Sequence, residues 1–321
     1  MINLENSTVD LDISNKCTLE CNRCERQELR SLNMDVPGGD MSVDDFIKVC
    51  DYYGSDENYI AFCGPISDPI FNPNILEFLK IAYEKNKRVK IHTAATSKNK
   101  KIDWYEKAFD INPNARWIFG LDGLPNKSWI YRVNQDSDLI YDAMILCAKK
   151  NMDVIWQYLV FGYNEDQIEE AKDIAENNNI TLEINHTSRY IDHDIYKPTN
   201  DVVNETKKTV EYGFYPRCLS NNRPPYVSAT GQILPCCWVD QPTVNLLKND
   251  PVLATLNRED FNIKNVENIK DVYKHEVYKK FYNDLINNHD SCSEYCKKKC
   301  SQKMENPTRI KKRYGKLSRK S

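Results

Sequence analysis

The chain has 321 residues, a net charge of −3 and 40% hydrophobic residues, enough for one large domain, or a medium and a small one, around a sizeable core. No apolar run approaches the ~20 residues that span a bilayer, and the polar start MINLENSTVDLDIS lacks the charged-then-apolar layout of a secretory signal. Its twelve cysteines are therefore expected as reduced thiols in the cytoplasm, where clustered cysteines more often hold metals.

An alternating strand at Val9, Leu11 and Ile13 leads into a loop with Cys17, Cys21 and Cys24. A zinc half-site is one reading of that triplet, but structural zinc wants four ligands and no histidine is near. An iron-sulfur cubane normally takes four thiolates, so three leave one iron open to another ligand. Ser42 and Asp45 then stand in capping-box positions for a helix to Tyr53. Strands are predicted at Tyr59–Cys63, Val89–Thr93, Trp117–Leu121, Val154–Phe161 and Thr181–Ile184. Helices fall near 74–85, 102–109, 138–150 and 166–176. This alternation predicts parallel βα units in an α/β fold, and six such periods in under 190 residues are too few for a closed eight-stranded barrel.

The spacing C-x3-C-x2-C after a first strand resembles the signature of the radical S-adenosylmethionine (AdoMet) enzymes. The resemblance implies an open partial (β/α)6 barrel of TIM type, with a 4Fe-4S cluster on Cys17, Cys21 and Cys24 and AdoMet chelated to the open iron. An electron from the cluster then yields a 5′-deoxyadenosyl radical, with a reductant such as flavodoxin or ferredoxin. In barrels of this kind the loops at the carboxyl ends of the strands carry the chemistry. Ser67-Asp68-Pro69 sits where the family usually shows Gly-Glu-Pro, whose backbone carbonyls hold the AdoMet amine. Gly120 to Gly123, with Asp122, and the downstream Arg132 look like the segment that fixes ribose and carboxylate; an arginine fork suits a carboxylate. Gln157, Tyr158 and Asn164 are further cofactor candidates. Arg23 replaces the usual aromatic before the third cysteine, where a guanidinium stacking on adenine would serve. Cys63, ending its strand near the expected site, is the candidate hydrogen donor for a radical epimerisation; Cys50 and Cys147 read as buried small residues. Asp122, Asp68, Tyr158 and His186 are the general acid/base candidates, none distinguished from a structural role.

Residues 185–215 turn polar and lose periodicity, which reads as a linker. Cys218 is followed by a hairpin signal, YVSATGQIL, turning at Thr230-Gly231, and then by Cys236 and Cys237. An amphipathic helix is expected through Ile269, Val272, Tyr273, Val277, Phe281 and Leu285, followed by Cys292, Cys296 and Cys300. The pattern from Cys218 through Gly231 to Cys236 resembles the opening of the auxiliary-cluster domain called SPASM, or its shorter form, twitch. Six cysteines are too few for two fully thiolate-bound cubanes, so one auxiliary 4Fe-4S cluster in a small α+β domain of hairpin and helix is expected. On one continuous helix the last three would span about 12 Å, so the favoured ligands are Cys218, Cys236, Cys292 and Cys296, with Cys300 as substitute and the role of Cys237 open. A zinc ion on the same thiolates is the alternative.

The expected organisation is a barrel over 1–190, an auxiliary domain over 191–302 and a basic tail over 303–321. From Lys303 to Lys320 the tail carries eight basic residues against Glu305. It reads as a solvated end, with a contact to RNA or DNA as the sharper alternative. The expected function is oxidative modification, by hydrogen abstraction, of a peptide or small molecule. Only 16 residues precede Cys17, so no separate leader-binding domain is expected ahead of it, and no membrane partner is implied.

Overall fold

The computed structural model describes residues 3–186, 197–199, 211–219, 224–303 and 312–314. They divide into two compact units, the first drawn from Met1–Lys16, Glu28–Val89 and Val210–Met304, the second from Cys17–Gln27, Lys90–Thr209 and Glu305–Ser321. The fold is α/β, built on parallel strands, and open rather than closed into a barrel. Among the described residues no helix is long and apolar enough to cross a membrane.

In the first unit β1 (Val9–Leu11) pairs in parallel with β2 (Tyr59–Phe62), Leu11 opposite Phe62. Between them in sequence lie α1 (Glu25–Ser31) and α2 (Val43–Tyr52). Ser42 caps α2: its Oγ accepts from the Asp45 amide at 3.1 Å and donates to Asp45 Oδ2 at 2.8 Å. The acid thus takes the capping hydroxyl where a full capping box would take the backbone N–H. The amphipathic faces of α2 and α3 (Ile75–Glu84) meet at Phe46 and Phe78, stacked with centroids 4.5 Å apart, and Phe46 meets Phe62 edge-on at 5.5 Å. Losing one such ring to alanine costs about 3–5 kcal/mol.

The second unit takes most of β3 (Arg88–Thr93), then α4 (Ile102–Ile111), β4 (Arg116–Gly120), α5 (Pro125–Ser128), α6 (Ser137–Lys149), β5 (Val154–Val160), α7 (Ile168–Asn177) and β6 (Thr181–His186). Strands β3 to β6 are parallel neighbours in sequence order. Strand alternation turns Trp117 and Phe119 to one face, where Phe109 of α4 meets Trp117 at 5.1 Å. Gly120, Gln157 and Glu183 share the other face, as consecutive register partners.

Later in the chain come β7 (Glu211–Tyr212), β8 (Tyr226–Val227) and β9 (Ile233–Leu234). β8 and β9 form the expected hairpin, and β8 also pairs in parallel with β1, Val227 opposite Leu11. The turn needs Gly231, whose φ of +90° is left-handed and whose N–H donates to Ser228 O at 2.8 Å. After the short α8 (Leu246–Asn249), the expected single amphipathic helix is two, α9 (Ile269–Lys274) and α10 (Glu276–Asn287). His275 is extended between them, and its Nδ1 accepts the Val277 amide at 3.2 Å, so a new cap replaces one helical turn. α11 (Glu294–Lys299) contains Cys296 but not Cys292, and Cys300 caps its end, so the last three cysteines do not share one helix. β10 (Gln302–Lys303) pairs with β7, and β11 (Lys312–Tyr314) pairs antiparallel with β6. Most of the expected linker and the rest of the basic tail lie outside the described residues.

Candidate functional site

Cys17, Cys21 and Cys24 occupy the loop that follows β1 and are all partly exposed. The loop is shaped within the second unit: Thr18 Oγ1 donates to Thr96 O at 2.9 Å, and the Glu20 amide donates to Val133 O at 3.0 Å. Arg23, at φ +64°, turns the backbone left-handed, so the Cys24 amide reaches Cys21 O at 3.1 Å. The position before the third cysteine therefore shapes the turn whatever its side chain contacts. Among the described residues no three Cys, His, Asp or Glu side chains converge closely enough to hold a single ion. What the loop offers is a donor set, three thiols within eight residues, that suits iron-sulfur ligation.

The predicted partners after β4 and β5 are brought together, but largely onto each other. Arg132 Nε stands 2.8 Å from Asp122 Oδ2, and Nη2 donates to Oδ1 at 3.3 Å; the carboxylate side chain is fully buried and the guanidinium side chain 12% exposed. Burial alone would lower the Arg132 pKa, but the charges of Asp122 and Cys21 hold it above the ordinary value. Asp122 Oδ1 also accepts the Leu159 amide at 2.9 Å. Gly120 leaves room for Arg132, since a Cβ there would lie 2.9 Å from Nη2. Tyr158 is buried and donates to Asn164 O at 2.6 Å, with burial pushing its pKa up, so it stays a neutral hydrogen-bond donor. Asn164 Nδ2 in turn donates to Asp122 O and Leu159 O, both at 3.0 Å. Gln157 is half-buried on the opposite face from Tyr158, and His186 ends β6.

Gln135 was not singled out by sequence reasoning, yet it ties this region together. It donates to Ala94 O at 2.7 Å and to Gly120 O at 2.9 Å, and accepts from Ser128 Oγ at 2.6 Å. A lone glutamine gives no local signal for such a bridge.

In the first unit, the loop after β2 carries Cys63, Ser67 and Asp68. The Asp68 amide donates to Lys16 O at 2.9 Å, beside the first cysteine in sequence, while its Oδ1 accepts the Ile70 amide at 3.2 Å and caps the turn Pro69–Phe71. Asp68 thus organises the loop through backbone groups. Asn72 Nδ2 ties the loop to Ile13 O at 2.5 Å and Met41 O at 3.1 Å. Ser67 Oγ donates to Asp12, a buried carboxyl group that the sequence flags only as a charge between Leu11 and Ile13. Cys63, half-buried, donates its amide to Leu11 O at 2.9 Å. Gly64 keeps the space open, since a Cβ there would lie 2.5 Å from Asp12 Oδ1.

Also in the first unit, Cys218, Cys236, Cys296 and Cys300 line one cavity with Phe214 and Trp238. Burial raises the pKa of Cys218 and Cys296 to about 12 and holds that of Cys236 well above a thiol's ordinary value. Those three thiols are costly to ionise without a metal charge to offset them, and a bound cation would supply it. Cys292 does not line this cavity; its sulfur lies 3.8 Å from Asn288 O, near Asp284 and Lys297. Cys237 lies outside the cavity lining as well.

No family model and no curated protein matches the chain. Solved structures do. SuiB from Streptococcus suis, bound to precursor peptide SuiA, matches with a TM-score of 0.57 at 12% identity, over 87% of this chain and 67% of that one. SuiB bound to S-adenosylmethionine matches at 0.53, and native anSMEcpe with bound AdoMet at 0.53, each at 12% identity over 86% of this chain, covering 68% and 82% of theirs. The chain therefore shares the open α/β fold of SuiB and anSMEcpe, both of which are seen with AdoMet bound.

Proposed function

We propose that this chain is a radical AdoMet enzyme. The observation that carries the reading is the three-thiol loop of Cys17, Cys21 and Cys24, directly after the first strand of a fold shared with two AdoMet-bound structures. A 4Fe-4S cluster held by those thiols would supply the electron that splits AdoMet, and AdoMet would supply the 5′-deoxyadenosyl radical for hydrogen abstraction. Asp122 holds Arg132 in place. Ser67, Asp68, Gln157 and Arg23 are the residues we assign to the AdoMet contacts, Asp68 through its backbone.

Cys218, Cys236, Cys296 and Cys300 are the ligand set we propose for one auxiliary 4Fe-4S cluster, of the SPASM or twitch kind, because they share one cavity. Such a cluster would be able to accept the electron left on the substrate, which favours a net oxidation, in a cytoplasmic setting with a flavodoxin- or ferredoxin-type reductant. A peptide is the favoured substrate class, since SuiB is seen with a precursor peptide and anSMEcpe with the Cp18Cys peptide. The test is 5′-deoxyadenosine formation by anaerobically reconstituted, reduced protein beside a variant with Cys17, Cys21 and Cys24 changed to alanine. Formation by the wild type alone supports the reading. Bound iron and sulfide with no 5′-deoxyadenosine from either would overturn it.

A further inference from the structure

Asp12, just past β1, is 2% exposed and keeps its carboxyl group among polar side chains from three further segments. Ser67, from the loop after β2, donates to Oδ1. The Tyr226 hydroxyl, from β8, donates to Oδ2 at 3.4 Å. Asp240, past β9, acts on both Asp12 and the Tyr226 hydroxyl. Tyr226 is fully buried and Asp240 half-buried, so the hydroxyl links an inner carboxyl group to an outer one. Cys237 also acts on Tyr226, and the backbone at Ser14 on Asp12.

Two carboxyl groups whose charges act on each other in a low-dielectric setting do not both ionise freely. Burial foremost, and then the charge of Asp240, raise the Asp12 pKa to about 7 against the hydrogen bonds from Ser67 and Tyr226, which lower it. A carboxyl group poised near neutrality at the strand ends is suited to exchanging protons in a reaction. Neither Asp12 nor Asp240 is needed for the metal or AdoMet contacts assigned above.

We propose that Asp240, Tyr226 and Asp12 form a proton relay that takes a proton from a substrate O–H or N–H group and stores it on Asp12. The use of the relay in a reaction rests on the radical reading above. The substrate bond to hydrogen breaks heterolytically: its electron pair stays on the substrate and its proton bonds to Asp240. Tyr226 then accepts that proton on its oxygen while passing its own to Asp12. One carboxylate becomes a carboxylic acid, the substrate loses one positive charge unit, and no electron is transferred.

The relay is tested on the full chain by infrared spectroscopy after a pH jump across neutrality. The acid C=O band of Asp12, identified by its loss in Asp12→Asn, is expected to titrate near 7. Asp240→Asn lowers that midpoint by removing a repelling charge, and Tyr226→Phe raises it by removing a donor. Both variants slow appearance of the band by about ten-fold or more, because the buried carboxyl group loses its route to solvent. Unchanged rates in either variant, or no band that depends on Asp12, would overturn the relay. The same samples are assayed for 5′-deoxyadenosine: its absence from the wild type removes the radical reading, while the band rates still decide the relay.

Discussion

Arg132 and Asp122, ten positions apart in sequence, form an ion pair at 2.8 Å in which the carboxylate is fully buried. Removing one partner strands the other charge. Asp122→Ala is expected to destabilise the chain by about 3–5 kcal/mol in urea unfolding, and the double variant Asp122→Leu/Arg132→Met to recover most of that loss. A double variant no more stable than the single one would show that the pair is not the source.

Auxiliary iron separates the two candidate ligand sets. After anaerobic reconstitution, Cys300→Ala is expected to lose roughly half of the bound iron, as one of two clusters fails to form. Cys292→Ala retains it, since Cys292 lies outside the cavity that holds the other thiols. The opposite result restores Cys292 as ligand.

Stability near neutrality is expected to depend on Asp12. Its folded pKa of about 7 lies above the ordinary carboxyl value of 3.8, so the native state binds the extra proton between those values. The stability contributed is full below about pH 4 and is lost as pH rises through about 7, an effect of up to ~4 kcal/mol. Asp12→Asn removes this fall. Denaturant unfolding across that pH range, wild type against variant, measures it, and parallel curves would refute the assignment.

Asn72 is fully buried and serves three backbone groups: it donates to Ile13 O and Met41 O and accepts the Asn74 amide at 2.7 Å. Asn72→Ala leaves them unsatisfied and is expected to cost about 2–4 kcal/mol. Hydrogen exchange resolves the local effect, with the Asn74 amide losing protection first.

Gly64→Ala is expected to impair the site without touching a thiol. The added methyl group would lie 2.5 Å from Asp12 Oδ1, so the Ser67 contact has to open. Loss of the near-neutral Asp12 titration, read by infrared spectroscopy, is the expected outcome.

The legible parts of the candidate site were those whose chemistry is written in residue type and local spacing. Cys17, Cys21 and Cys24 sit in one loop, and alternation located β2 to β6 to within a few residues. The segment around Asp122 and the downstream Arg132 were also visible, as motif residues. Their mutual pairing was not, because a fork that suits a ligand carboxylate suits a protein carboxylate equally well. The helix break at His275 escaped because periodicity continues across it: Val272, Tyr273, Phe281 and Leu285 are all buried, and only a side-chain cap marks the interruption.

By itself the sequence determined the alternating α/β plan, the open count of strands and the presence of two groups of thiols, because these follow from periodicity and short-range spacing. Tertiary structure alone decided three matters: that β8 lies beside β1, that Cys300 and not Cys292 lines the cavity of Cys218, Cys236 and Cys296, and that Asp12 meets Ser67 and Tyr226. Each depends on contacts between segments far apart in the chain. Which distant side chains meet is set by the packing of the whole unit, and no local pattern encodes it.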